Sequence, residues 1–287
     1  MRASPRYEGP AIISMTGEPG DQLAPLVRQR RRLQATLEAL GPDEWASATR
    51  CDEWSVQDVV AHLVGVNTFW QASVEAGLAG APTRILVNFD PAVTPALMVG
   101  AMRELGPADV LEQFVASNDG LLAVFDGLDD QQWMTVAETP AGHVAIRVVA
   151  HHALWDCWVH ERDIGLPLGW TPQLEPDELR SSLRYVSALG PAIALSAGRP
   201  CADVLAVEAE NPDERFVLDV DHCVVVGDGG DRDVGDEVCL RGGALTLVEA
   251  LSLRCPLPAS APTPWRELLR GLAIAFNVEM DVEEQLE

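Results

Sequence analysis

The segment His151-His152-Ala-Leu-Trp155-Asp156-Cys157-Trp158-Val-His160-Glu-Arg-Asp163 carries more ionisable side chains than one helix face normally buries. At about 100° per residue, positions 152, 156 and 160 advance by only about 40° per step, so His152, Asp156 and His160 point one way. Asp163 returns to the same stripe. Upstream the stripe continues through Ala145, Val148 and Val149, which turns it toward an apolar interior. Charges there are costly unless something pairs them. A divalent cation does so, because side chains at i and i+4 on a helix converge on one ion.

A further ligand has to come from another helix, and His62 is the candidate, on the apolar side of a helix that also carries Val59 and Val66. Two imidazoles and one carboxylate leave coordination positions open for water or substrate, the pattern of a catalytic metal. The competing reading is two unrelated core histidines and a surface aspartate. His152 is either a fourth ligand or an outer partner, and Asp163 a hydrogen-bond partner for a liganding imidazole. His143, His151 and His222 lie off the stripe and are read as packing or surface residues. Trp155 and Trp158 are read as packing.

Helices must position these groups. Leu23, Leu26, Val27, Leu33, Leu37 and Leu40 follow helical spacing until Gly41-Pro42. Ser55-Val-Gln-Asp58 has the form of a capping box, with Trp54 outside it, and opens a helix that Gly77 to Pro82 ends. Residues 83–106 read as a crossover with a short helix. A third helix starts at Pro107, and a fourth spans about His143 to Ile164. Four such helices with one long connection predict a four-helix bundle over residues 21–170. Residues 171–200 read as a helical linker interrupted at Gly190-Pro191. Period-two alternation (Leu205, Val207; Phe216, Leu218, Val220) then predicts a small α+β domain over 201–280, so the fold class is α+β. Residues 1–20 read as a flexible tail and 281–287 as an acidic one. The turn Asp228-Gly-Gly-Asp231-Arg-Asp233 lacks the ligand spacing of a calcium loop and is read as a polar hairpin turn.

Composition narrows the partners. Against 20 Lys plus Arg stand 44 Asp plus Glu, a net charge of −24 that repels phosphate backbones and anionic lipid surfaces, so nucleic acid and membrane are not expected. An anionic substrate would need local positive charge. No apolar run approaches the roughly 20 residues of a membrane span, and no signal-peptide core is seen. The six cysteines form no CxxC pair and read as reduced thiols of a cytoplasmic protein, a monomer or weak homodimer.

The run Trp45 through Cys51-Asp-Glu-Trp54-Ser55-Val-Gln-Asp58-Val-Val-Ala-His62-Leu-Val-Gly resembles the N-terminal signature of the actinobacterial mycothiol-dependent maleylpyruvate isomerase family, within the DinB-like superfamily. Asp156-Cys-Trp-Val-His160-Glu-Arg-Asp163-Ile-Gly is similar to its second signature. The resemblance, from about residue 20 to 280, implies metal ligation by His62, Asp156 and His160. Two departures are Asp156, where glutamate is usual, and the added His152. Leu251-Ser-Leu-Arg254 is similar to a motif of the family's small domain whose arginine faces the active site, which makes Arg254 the candidate catalytic cation for an anionic group. By its position alone, Arg254 is equally an arginine favoured by a helix C-terminus.

The expected function is that of a metal-dependent thiol enzyme, an isomerase or S-transferase using mycothiol on a small, carboxylated electrophile. Zinc is the first candidate metal, followed by nickel, iron and manganese. The rivals are a hydrolase or lyase with water in the open position, and a non-enzymatic ligand-binding module.

Overall fold

A computed structural model describes residues 4–199, 201–228 and 238–276. In chain order the first part comprises β1 (Ile13–Met15), α1 (Leu23–Ala39), α2 (Pro42–Trp45), α3 (Val56–Leu78), α4 (Thr94–Gly100), α5 (Pro107–Phe125), α6 (Asp130–Trp133), β2 (Val136–Thr139), β3 (Gly142–Ala145) and α7 (Ile146–Gly165). The four long helices make the bundle: α1 and α3 each pack on both α5 and α7. Their facing stripes, including Leu26, Leu33, Val59, Leu63, Phe114, Leu121, Val149 and Leu154, are removed from solvent. The capping box at the start of α3 forms as the sequence predicts: Ser55 Oγ accepts from Asp58 N–H, and Asp58 Oδ2 accepts from Ser55 N–H at 3.0 Å.

α7 begins three residues later than expected. His143 belongs to β3, which pairs antiparallel with β2 from Val136↔Ala145 to Thr139↔Gly142. Gly142 turns that hairpin at φ +108°, and the Arg6 backbone approaches so closely that a Cβ would sit 2.0 Å from its carbonyl oxygen.

The second part comprises α8 (Pro176–Ser196), β4 (Asp203–Glu210), β5 (Glu214–Val220), β6 (Val224–Gly227), β7 (Cys239–Gly243), α9 (Ala244–Leu251), α10 (Arg266–Leu269) and α11 (Gly271–Phe276). The stretch expected as a helical linker interrupted at Gly190-Pro191 is one uninterrupted 21-residue helix, with Gly190-Pro191 inside it. α8 packs on α7 on one side and on α9, α11 and the sheet on another, burying Leu179, Leu183, Tyr185, Val186 and Leu189. It joins the two halves into one continuous core. Gly190 and Gly271 allow this: a Cβ on Gly271 would lie 1.9 Å from the Gly190 carbonyl oxygen.

The five-stranded sheet has the order β1-β6-β5-β4-β7. Leu205, Val207, Phe216, Leu218, Val220, Val224 and Leu240 are buried from its strands, in alternation with polar residues such as Glu208, Arg215 and Asp219. The segment expected as a flexible tail supplies its edge: Ile13–Met15 pairs parallel to Val224–Val226, with Ile12, Ile13 and Met15 buried. A three-residue apolar patch is too short to mark a strand locally, and only the sheet it joins gives it a place. The turn at 229–237 and the acidic C-terminus lie outside the described residues.

Candidate metal centre

α3 and α7 run side by side and bring His62, Asp156 and His160 together. His62 Nε2 lies 3.7 Å from Asp156 Oδ2, and His160 Nε2 lies 3.7 Å from Asp156 Oδ1. The two imidazole rings are 4.9 Å apart between centroids. One candidate ligand atom from each of the three residues lies within 4.8 Å of the others. These separations are too long for hydrogen bonds and suit groups that share one ion.

The electrostatics fit the same reading. Burial would raise the Asp156 pKa, yet the His62, His160 and His152 imidazoles hold its carboxyl far below the usual range. Asp156 is therefore an anion, and its buried Oδ2 has no hydrogen-bond partner. An ionised carboxylate oxygen without a donor is costly, and a cation between His62, Asp156 and His160 would satisfy it.

Asp163 completes the centre from one turn further along α7. Its Oδ2 lies 3.0 Å from His160 Nδ1, which orients the ring so that Nε2 faces Asp156. Asp163 is fully buried and also accepts from Arg50 Nε at 3.0 Å, Arg254 Nε at 2.9 Å and Arg254 Nη2 at 2.7 Å. Burial opposes its ionisation, but His160 and Arg254 hold it ionised. Burial likewise lowers His160, while Cys51, Asp163 and Asp156 together raise it well above the ordinary value.

Arg254 reaches the centre from the small domain. α9 ends in a Schellman turn, with Arg254 N–H bonded to Glu249 O and Leu253 N–H to Ala250 O. Leu253 takes the left-handed position at φ 61°, which a β-carbon disfavours. That turn directs the Arg254 guanidinium to Asp163.

His152, one turn before Asp156, stands outside the cluster of three, and its Nδ1 faces Tyr185 Oη. His151 Nδ1 bonds Ser181 Oγ at 2.7 Å, His143 Nε2 lies 2.8 Å from Thr83 O, and His222 is exposed. Trp155 does more than pack, since its Nε1–H donates to Ser252 Oγ at 2.9 Å and ties α7 to the Arg254 turn.

Cys51, Arg50 and Tyr185 escape sequence reasoning. Cys51 Sγ lies 3.3 Å from Asp163 Oδ2, 3.7 Å from His160 Nδ1 and 3.7 Å from Arg254 Nη2. Cys51, His160 and Asp163 thus form a second group with ligand-like spacing. Asp163, however, is already engaged by two guanidiniums and an imidazole, whereas Asp156 Oδ2 has no hydrogen bond and only the His62 ring at 3.7 Å. The first group is the better ion site. All six cysteines are unpaired. The signal for Cys51 was present in its place just before the His62 helix, but no spacing rule links residue 51 to residue 160.

Residues 26–165 match the family model for the mycothiol maleylpyruvate isomerase N-terminal domain. That match takes in the four long bundle helices, just under half of the chain. A crystal structure of the mycothiol-dependent maleylpyruvate isomerase superposes with a TM-score of 0.60 at 14% identity, covering 83% of this chain and 90% of that one. A histidine-to-alanine mutant of such an isomerase gives 0.58 at 14% identity, covering 81% and 88%. The fold is therefore shared through the small domain as well, and both the family and these neighbours are those of an enzyme. No curated protein sequence shows significant similarity. No helix among the described residues is long and apolar enough to cross a membrane.

Proposed function

We propose that this chain is a cytoplasmic, divalent-metal-dependent enzyme that uses mycothiol to isomerise a small unsaturated keto acid of the maleylpyruvate type. The observation that carries this reading is the Asp156 carboxylate, whose buried Oδ2 accepts no hydrogen bond, set between two imidazole nitrogens at 3.7 Å. His62, Asp156 and His160 would hold the ion, with zinc the first candidate and nickel, iron and manganese the others. A bound divalent ion lowers a thiol's pKa and so supplies a thiolate at neutral pH.

The residues around it provide the rest. Asp163 fixes the His160 ring, and Arg50 and Arg254 keep Asp163 ionised. Arg254 retains partial exposure, with its side chain 23% accessible, and places positive charge where a substrate carboxylate would approach. In a chain of net charge −24 such local charge matters. The thiolate adds to the conjugated double bond, forming C–S and moving the π pair onto the carbonyl oxygen as an enolate. The former double bond is now single and rotates; collapse of the enolate expels the thiolate and leaves the trans isomer.

Metal analysis of the purified protein, with an isomerisation assay on maleylpyruvate with and without mycothiol, tests this. About one equivalent of metal and thiol-dependent turnover are expected, both lost in His160→Ala. Turnover that ignores the thiol would instead favour a hydrolase or lyase.

A further inference from the structure

His152 is 7% exposed, and its imidazole lies among Trp70, Trp155 and Tyr185, with ring centroids 4.6, 5.5 and 5.2 Å away. Its Nδ1 is 2.5 Å from Tyr185 Oη. Tyr185 is 1% exposed, and burial keeps its phenol protonated. Among the described residues that hydroxyl has no other partner. If Nδ1 were the donor, the phenolic proton would be buried without an acceptor. Tyr185 therefore donates, Nδ1 accepts, and the ring proton sits on Nε2.

His152 stands outside the His62–Asp156–His160 cluster and is not a fourth member of it. The tautomer also decides what the ring can offer a substrate. Nε2–H is a donor without an acceptor among the described residues, on the stripe one turn (about 6 Å of helix rise) from Asp156. Burial pushes the His152 pKa down to about 4, against the opposing Asp156 carboxylate and with help from His62, so the ring is neutral at pH 7.

We infer that His152 is a catalytic, substrate-facing donor: its Nε2–H, held in place by Tyr185 as a positioning residue, hydrogen-bonds a carbonyl oxygen of the keto-acid substrate. This rests on the thiol-enzyme reading above. When the thiolate adds, the C–S bond forms and the π pair collects on that oxygen. The Nε2–H bond strengthens as charge develops, with no proton transferred, and relaxes when the thiolate leaves. Arg254 and His152 then lie at opposite ends of the α7 stripe, one beside a carboxylate and the other beside a carbonyl.

Calorimetry of acetopyruvate, a dioxo acid lacking the isomerisable double bond, on zinc-loaded protein saturated with mycothiol tests the donor directly. His152→Phe keeps the ring and removes the proton. It should hold zinc and mycothiol as wild type does and bind acetopyruvate about tenfold more weakly, with Tyr185→Phe in between. With maleylpyruvate, His152→Phe should raise KM about tenfold, in step with acetopyruvate, and lower kcat about a hundredfold, because the bond strengthens as charge develops. Nitrogen-15 NMR should show the Nε2–H tautomer in wild type, its proton resonance moved by acetopyruvate, and a tautomer mixture in Tyr185→Phe. If wild type fails to isomerise maleylpyruvate yet the calorimetric difference persists, the reaction assignment falls and the donor stands. Zinc lost in His152→Phe, an Nδ1–H tautomer in wild type, or acetopyruvate binding that is absent from wild type or equal in all three proteins would overturn the inference.

Discussion

Arg254 grips Asp163 with two donors, Nε to Oδ1 at 2.9 Å and Nη2 to Oδ2 at 2.7 Å, and Asp163 in turn lies 3.0 Å from His160 Nδ1. The small domain is thereby coupled to the candidate metal centre through one carboxylate. The arginine expected to clamp substrate directs most of its fork at this carboxylate, so it acts on the imidazole as well as on whatever anion approaches its exposed edge.

Asp163→Asn keeps the shape and removes the charge. Outer partners of this kind are worth about 10–100-fold in metal affinity, so zinc binding measured by chelator competition should weaken by that factor. Arg254→Ala should weaken it less, because Arg50 still bonds Asp163, and should lower kcat/KM with carboxylated substrates by about 2–4 kcal/mol. Arg254→Lys should recover only part, lacking the planar fork. Unchanged zinc affinity in Asp163→Asn would mean that the carboxylate does not orient His160.

Glu249 on α9 is the second tie between the halves. It accepts from Arg50 Nη1 at 2.7 Å and Nη2 at 3.1 Å, and from Arg162 Nε at 2.7 Å. Arg162 is buried over the Trp158 ring, and its Nη1 already lacks a partner. Removing one member of a largely buried pair strands the other, so Glu249→Ala should cost about 3 kcal/mol in urea unfolding. Glu249→Gln, still an acceptor, should cost less. Equal and negligible effects would show that the pairing contributes nothing net.

The bundle and the shared face of His152, Asp156 and His160 were legible because helical periodicity is local: positions 152, 156 and 160 share a face whatever the rest of the chain does. His62 was legible from its own helix in the same way. What could not be read is what depends on meeting across the fold. β1 counts as a strand only because Val224–Val226 is there to pair with it. α8 was legible as helical but read as interrupted, because Gly190-Pro191 normally breaks a helix, and the approach of Gly271 explains a glycine there. Cys51 and Tyr185 reach the site from sequence distances of 109 and 33 residues to their histidine partners.

Acid should destabilise the protein in a defined window. Burial, with Arg147 and Arg184 nearby, pushes His151 down to about 3, and burial pushes His152 to about 4. Unfolded histidine titrates near 6.5, so below that pH the unfolded chain binds protons that the native state refuses, and stability falls as pH drops toward 4. His160 is shifted the other way. Its contribution is fully present below about 6.5 and does not alter the slope in this window. From pH 6.5 to 5 the two buried rings together remove about 3–4 kcal/mol. Denaturation midpoints measured over that range in metal-free buffer should fall, and His152→Phe should flatten the decline by roughly half. An unchanged slope would show that His152 is not buried neutral.

Metal-linked stability separates the two ion groups that share His160. An ion that binds only the folded state stabilises it by RT ln(1 + [L]/Kd), about 4 kcal/mol at a thousandfold excess over Kd, or several degrees in Tm for a chain of this size. If the ion sits between His62, Asp156 and His160, zinc should raise Tm in wild type and in Cys51→Ser but not in His62→Ala. If it sits between Cys51, His160 and Asp163, the pattern reverses, with Cys51→Ser losing the shift and His62→Ala keeping it. The first outcome is expected, because Asp163 already spends its oxygens on Arg50, Arg254 and His160 while Asp156 Oδ2 has no donor. His160→Ala loses the shift under either arrangement, so it serves as the control for ion binding at the centre. A Tm shift retained in all three variants would place the ion elsewhere in the protein.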